Sequence, residues 1–325
     1  MSLGIGVPFN FNKLGGGGGT PPSSPDFIST WDTTQAGSAS DTIVLPMTAG
    51  NTVHWGDGNS DTTNTHTYAS SGTYTITIEG AVNTFRFAAT GDYRKIIDIS
   101  NWGAFDIASD RIFQNCANLN ITATDKPLLS SVNSAVATFR NANLINVDFS
   151  GWDFSICTNF TFFVNNGMSG GSISGIIHAG VTTLSQSFKG SILGDQDLST
   201  WVVTNITNWN ETFQNANLGA NTDVSNWIVQ GGLVRTFQGN TLFEGNGLPT
   251  WNIVGITSTN NPFSNTNITT VNYDSLLVAW EAQAPPNAIG INFGSAQYTI
   301  GSAADTARTS LITTYGWTIT DGGGI

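Results

Sequence analysis

Three aspartates, Asp148, Asp197 and Asp223, occupy comparable positions in a recurring phrase of this chain. On stacked turns they would line up a few ångströms apart. Paired carboxylates at such spacing are what a polysaccharide-cleaving enzyme assembles as acid and base. The recurrence itself is explained by solvated turn residues, and we read them so. Asp57, Asn59 and Asp61 begin like a calcium loop, D-x-N-x-D. The sixth position is Thr62 where glycine is needed, and the twelfth is Tyr68 where a bidentate glutamate is needed. A hydrogen-bonded turn is expected there and no metal, the turn being the one weak candidate. His54 and His66 are expected to share a face as structural residues, because no third ligand clusters with them. His178 stands alone. No G-x-S-x-G, H-E-x-x-H or phosphate-cradling loop occurs, since Gly15 to Gly19 precede no strand–helix unit. No enzyme and no cofactor are expected.

Four tryptophans recur as well: Trp152, Trp201, Trp227 and Trp251. As an exposed stripe they would form a sugar-binding platform, and they are the candidate binding residues. As a buried ladder they would supply apolar area at a corner of each turn, the commoner fate of periodic aromatics.

These residues are positioned by a repeat. Phenylalanines at 113, 139, 163, 188, 213, 237 and 263 are separated by 26, 24, 25, 25, 24 and 26 residues. Blocks such as Phe139-Arg-Asn-Ala-Asn-Leu144 and Phe213-Gln-Asn-Ala-Asn-Leu218 repeat almost verbatim, with Phe163-Val-Asn-Asn filling the one gap. A fixed period of this length marks stacked turns, none of which can bury its apolar face alone. Ile145 to Phe149 alternate as a short strand. Thr207 to Phe213 allow one or two turns of helix, with Trp209 and Phe213 on one side. Strands of neighbouring turns should lie about 4.8 Å apart.

Bulk composition agrees with stacked turns. Charged residues are 10% of the chain, against roughly 25% in ordinary soluble domains. Ten basic residues face 22 acids, for a formal net charge of −12. Nucleic acid and anionic membranes are therefore poor partners. No run of about 18 apolar residues exists, so no membrane insertion is expected. Cys116 and Cys157 read as two buried thiols, with a disulfide as the alternative.

In chain order, residues 1–25 hold a short apolar peptide with Val7, Phe9, Phe11 and Leu14, then a glycine tether and a proline-rich spacer. The peptide is the candidate docking element. It lacks the basic and continuous apolar regions of a secretory signal. Residues 26–95 read as a small β-sandwich, with strands at Asp41–Leu45, Thr52–Trp55, His66–Tyr68 and Gly72–Ile78. Trp55-Gly-Asp-Gly58, His66-Thr-Tyr68 and Gly72-Thr-Tyr74-Thr-Ile76 resemble the PKD-type Ig-like domain. That resemblance implies a spacer or interaction module, with the tryptophan and tyrosine in its core and the Asp-Gly pair in a turn.

Residues 96–271 resemble the BspA-like leucine-rich-repeat surface proteins. Val147-Asp-Phe-Ser-Gly-Trp152-Asp, Leu198-Ser-Thr-Trp201-Val-Val-Thr-Asn-Ile-Thr-Asn208 and Phe113-Gln-Asn-Cys116 carry the likeness. Pro127 and Ile177 stand where the repeat would have tryptophan, so those turns should be irregular. Residues 272–325 read as a cap: one helix over Tyr273–Gln283, a second over Asp305–Tyr315, and a strand at Trp317–Thr320. The expected fold is mostly β: a PKD-like sandwich, a leucine-rich-repeat-type solenoid of about seven turns and a small α/β cap.

The resemblance implies a non-enzymatic display protein. Without a recognised export route, the expected setting is a bacteriophage virion surface, as a head or tail fibre or decoration protein assembled in the host cytoplasm. Other virion proteins would hold the N-terminal peptide, and a host cell-surface protein or glycan would meet the repeats. A homo-oligomer such as a trimer would follow from avidity. A bacterial cell-surface adhesin is the alternative, and a polysaccharide-degrading enzyme the remote one.

Overall fold

The computed structural model describes residues 25–129 and 133–325. The docking peptide expected at Val7, Phe9, Phe11 and Leu14 lies outside the described residues. Strand β1 (Phe27–Asp32) alternates, burying Phe27, Ser29 and Trp31. Short strands β2 (Thr42–Val44), β3 (Val53–His54), β4 (Ser60–Asp61) and β5 (Thr65–Thr67) follow, then β6 (Thr73–Ile78) and β7 (Ile96–Asn101). β1 pairs antiparallel with β6 on one side and β7 on the other, and β2 pairs with β5 as a separate ribbon. Strand β8 (Asn120–Ile121) adds to β7 in parallel, so one sheet runs in the order β4-β3-β6-β1-β7-β8. The boundary expected after residue 95 thus falls inside a sheet. At β7 the pairing changes from antiparallel to parallel, and stacking of turns begins there without a gap.

Beneath the loop before β2 lies a buried charge. Lys95 is fully buried, and its ammonium sits 2.7–3.1 Å from the carbonyls of Ser38, Ala39 and Thr42 and the Ser38 hydroxyl. Asp92, also buried, accepts from the backbone N–H groups of Ser38 and Val44. Desolvation lowers the Lys95 pKa, while Asp92, Asp41 and Asp32 pull it back up.

From residue 105 on, strands are brief. β9 (Leu144–Ile145) pairs in parallel with β10 (Met168–Ser169), and elsewhere single parallel bridges join residues 22 to 26 apart, such as Ser134 to Asn159 and Asp197 to Asp223. The strand expected over Ile145–Phe149 shrinks to the end of β9. Longer pairing appears only between β11 (Ile228–Val234) and β12 (Asn252–Asn260).

What carries the stacking is the segment around each phenylalanine, where the one or two helical turns allowed at Thr207–Phe213 do not form. Seven residues, Arg111, Ala137, Phe162, Gln186, Glu211, Arg235 and Asn261, have φ between 48° and 62°. Four positions later, Asn115, Asn141, Asn166, Gly190, Asn215, Gly239 and Asn265 have φ between 51° and 80°. Two left-handed residues per turn stop a helix and aim alternate N–H groups along the stack. Glu211, Phe213 and Asn215 donate to the carbonyls of Val234, Thr236 and Gln238, at 2.7–2.9 Å. Each strained residue costs on the order of 1–2 kcal/mol, and these inter-turn bonds offset it.

The register corrects one sequence alignment. Phe139 donates to Phe163 O, and Val164 donates to Ser187 O. Val164, not Phe163, therefore stands in the column of Phe113, Phe139, Phe188, Phe213, Phe237 and Phe263. Phe163 is still fully buried but meets Phe139 and Phe188 edge-on, at 74° and 83°. Elsewhere the rings lie flat on one another: Phe113 on Phe139 at 5.5 Å and 5°, Phe188 on Phe213 at 5.3 Å, Phe237 on Phe263 at 5.6 Å. Such contacts add about 0.5–1.5 kcal/mol per pair beyond burial. The residues before Phe139, Phe188, Phe213 and Phe237 are buried hydroxyls. Ser187, Thr212 and Thr236 donate to the carbonyls of Phe160, Leu184 and Trp209 in the preceding turn, so no polar group is stranded.

The later column has a testable rule. Asn141 Nδ2 donates to Asn115 Oδ1 at 2.8 Å, one rung of an amide ladder. At Gly239 a Cβ would come within 1.9 Å of Asn215 Oδ1. Gly239→Ala should cost about 1 kcal/mol of stability, and Gly239→Asn less: either Cβ displaces the Asn215 amide, but asparagine offers that amide a new partner and tolerates the left-handed backbone better. Urea midpoints of the two variants decide this; equal losses would refute the ladder.

The C-terminal end closes the column. Helix α1 (Thr270–Glu281) is N-capped by Thr269 and buries Tyr273, Leu276, Leu277 and Trp280. Strand β13 (Gly290–Asn292) leads to Phe293, which stacks on Phe263 at 5.5 Å and 2°. Helix α2 (Ala303–Thr313) is capped by Ser302 and followed by strand β14 (Thr318–Thr320), parallel to β13. Arg308 holds Asp321 through two hydrogen bonds, and the Tyr273 hydroxyl donates to the same carboxylate. The described residues are mostly β, in small open sheets, with two α-helices. Cys116 and Cys157 are both buried thiols, raised by burial, Cys157 to about 12.

Candidate functional site

Trp201, Trp227 and Trp251 form a buried column beside the phenylalanines. Trp201 and Trp227 stack at 5.9 Å and 4°, Trp227 and Trp251 at 5.3 Å and 14°. Each indole N–H donates to a carbonyl of the preceding turn: Trp201 to Ile173, Trp227 to Leu198, Trp251 to Val224. The sequence reading missed the next rung. Trp280, from helix α1, stacks on Trp251 at 6.2 Å and donates to Leu248 O. Trp152 stands apart, edge-on to Trp102 at 5.5 Å. Between it and Trp201 the column is interrupted by buried Ile177. Its edge borders a cleft of about 170 Å³ with Asp125 and Lys126. All four expected binding tryptophans are at most 6% exposed. A sugar platform needs a ring face open to solvent, so the exposed-stripe expectation for Trp152, Trp201, Trp227 and Trp251 is corrected to a core role.

Asp57, Asn59 and Asp61 do not converge. Asp57 accepts from Asn59 N and Nδ2 and pairs with His66 Nε2 at 2.8 Å. Asp61 accepts from Thr63 N and Oγ1. Among the described residues no group of three metal-ligating side chains occurs. His54 and His66 do not share a face: they lie on β3 and β5, in different sheets, and His54 pairs with Glu79. His66 lies flat on Trp55 at 5.0 Å and edge-on to Tyr68 at 4.6 Å, and Tyr68 Oη donates to Trp55 O. The Asp57 turn thus buttresses the aromatic core. Burial opposes the Asp57 charge, but the His66 pair and the Asn59 donors outweigh it and hold the carboxyl at about 2, below the usual 3.8. A depressed carboxyl contributes stability above pH 3.8, and that contribution disappears as pH falls from 3.8 towards 2. Acid titration of Trp55 fluorescence should show this step, and Asp57→Asn should remove it. An unchanged acid midpoint in that variant would refute it.

Of Asp148, Asp197 and Asp223, only Asp197 and Asp223 bridge directly, whereas Asp148 bridges Ser172 in the next turn. Each accepts the N–H of the serine two residues on, at 2.8–3.0 Å. For Asp148 burial raises the pKa, but the Ser150 hydrogen bonds prevail and lower it. The Ser199 hydrogen bonds lower Asp197. The column is a row of turn caps, which an Asp-x-Ser spacing in the sequence already signals.

On the face carrying the left-handed residues, charge is concentrated instead. Arg111, Arg140, Lys189 and Arg235 fall there, four of the ten basic residues of the chain. Lys189 and Arg235 both pair with Glu211. The sequence signal was their shared position, within two residues of the column of phenylalanines.

Residues 107–232 match a family model described as Mycoplasma protein of unknown function, DUF285. The match covers the stacked turns only as far as the middle of β11, and the turns of Phe237 and Phe263, β12 and the helices lie beyond it. No curated protein and no solved structure matches the chain.

Proposed function

We propose that this chain is a non-enzymatic display protein: a PKD-like module over residues 26–95, a leucine-rich-repeat-type solenoid over 96–271, and a C-terminal cap. Its setting is a bacteriophage virion, as a head or tail fibre or decoration protein, held through residues 1–25 by other virion proteins. The observation that carries the display reading is the aromatic column from Phe113 to Phe293, in which Val164 is an aliphatic rung with Phe163 edge-on beside it, and Trp280 of α1 joins the indole stack. It makes the turns one stiff body whose lateral faces are broad and repetitive, as multivalent contact with a host surface protein or glycan requires. The three aspartates support a non-catalytic reading, because each is occupied as a turn cap.

A second reading is a bacterial cell-surface adhesin, and the match to a family described from Mycoplasma favours it. Gold-labelled antibody against residues 96–271, applied to purified phage particles and to intact cells, separates the two. Label on particles supports the virion; label only on uninfected cells replaces it with the adhesin. Label on neither, with the protein retained inside lysed cells, overturns display altogether.

A further inference from the structure

We infer that the left-handed face carries a binding cleft for a carboxylate-bearing sugar unit, built by Arg111 and Arg140. This rests on the display reading and names the ligand class. The seven residues of the first left-handed column follow one another up the stack, and at the second position the side chain is only Ala137. Arg111 lies one turn before it and Phe162 one turn after. The missing side chain leaves a cleft of about 360 Å³, floored by Ala137 and walled by Arg111, Gln114, Arg140, Asn159 and Phe162. It is the size of a single sugar ring with room for its neighbours.

The chemistry of the walls is specific. Neither Arg111 nor Arg140 is in an ion pair among the described residues, although the chain carries 22 acids. The nearest acid in sequence, Asp110, accepts instead from the Ser134 hydroxyl and Val136 N. Arg140 lies over the Phe162 ring at 4.6 Å, which fixes the guanidinium plane, and its Nε–H is buried without a partner. A planar donor held in place is what bidentate capture of a carboxylate needs. Gln114 and Asn159 offer amides for sugar hydroxyls. Phe162, an aromatic at φ 60°, is held in a backbone conformation bulky residues avoid. Its N–H donates to Ser185 O, so the neighbouring turn keeps it there.

The test titrates the full chain, Nε-labelled at arginine, with a galacturonic acid hexamer, a neutral galactose hexamer and inorganic phosphate, following the arginine Nε–H signals by NMR. The acidic hexamer should shift the Arg111 and Arg140 signals and the neutral one should not. Arg111→Gln and Arg140→Gln should each weaken binding about tenfold. Ala137→Gln, a side chain already accommodated left-handed at Gln186, should fill the cleft and abolish binding while thermal unfolding stays intact. Equal affinity for phosphate alone, equal affinity for the neutral hexamer, or no effect of Ala137→Gln would overturn the proposal. Cell or particle attachment that persists in Ala137→Gln would remove this site and leave the display reading standing; hexamer binding without any attachment would do the reverse.

Discussion

Trp227→Ala should lower the unfolding free energy by about 3–5 kcal/mol, the range for truncating a large buried aromatic. Trp227 is 1% exposed and touches Trp201, Trp209, Trp251 and Phe237. Removing it opens a void between two turns whose backbones are pinned by the inter-turn hydrogen bonds, so collapse around it is limited. It also leaves Leu198 O without its indole donor. Trp227→Phe should recover more than half of the loss, because stacking returns and only the N–H is missing. Urea unfolding followed by circular dichroism measures both. A loss below about 1 kcal/mol for the alanine variant would mean the column contributes little beyond exposed-surface substitutions.

Lys95→Met should cost a comparable 3–5 kcal/mol, by a different route. Methionine fills most of the volume, so packing is nearly kept. What disappears is a charged donor to three backbone carbonyls, of which Ala39 O and Thr42 O keep one other hydrogen bond each, and the counter-charge to buried Asp92. Breaking one side of a buried charged network is destabilising on that scale. The effect should be local first: amides of residues 38–44 should exchange faster than those of β1 and β6. Lys95→Arg should not rescue, because Gly37 already lies against the lysine stem and a guanidinium has no room. Protection at Val44 unchanged in Lys95→Met would refute this account.

The repeat, its period and the buried phenylalanines were legible because one aromatic per turn is hard to miss. Register was not legible everywhere. Phe163-Val164-Asn165-Asn166 offers two asparagines, and only the left-handed φ of Asn166 shows which one belongs to the column. The helical turns allowed at Thr207–Phe213 do not form for the same reason: Trp209 and Phe213 are four apart, but Glu211 between them is left-handed. Spacing alone cannot distinguish these. Strands β1, β11, β12 and β13 were not anticipated, although turn residues such as Pro25, Asn261-Pro262 and Pro285-Pro286 flank three of them. The helices of the cap were found within three residues of their ends, since their apolar faces and caps are local. The tryptophans recur in register with the turns, but their exposure depends on neighbours one turn away. The arginine cleft escaped notice because it is defined by an absence, the small Ala137, between residues about 25 positions apart.

In the segment around each phenylalanine, the inter-turn backbone bonds run one way: from the N–H of an earlier turn to the carbonyl of the next. Every junction is therefore the same kind of joint, with a socket above and a peg below. A duplicated unit inserted in the same orientation meets both neighbours with matching groups, whereas a fragment of a unit meets neither. Relatives of this chain should differ in height by whole rungs of about 4.8 Å, with the entrance sheet and the closing helices carried along unaltered.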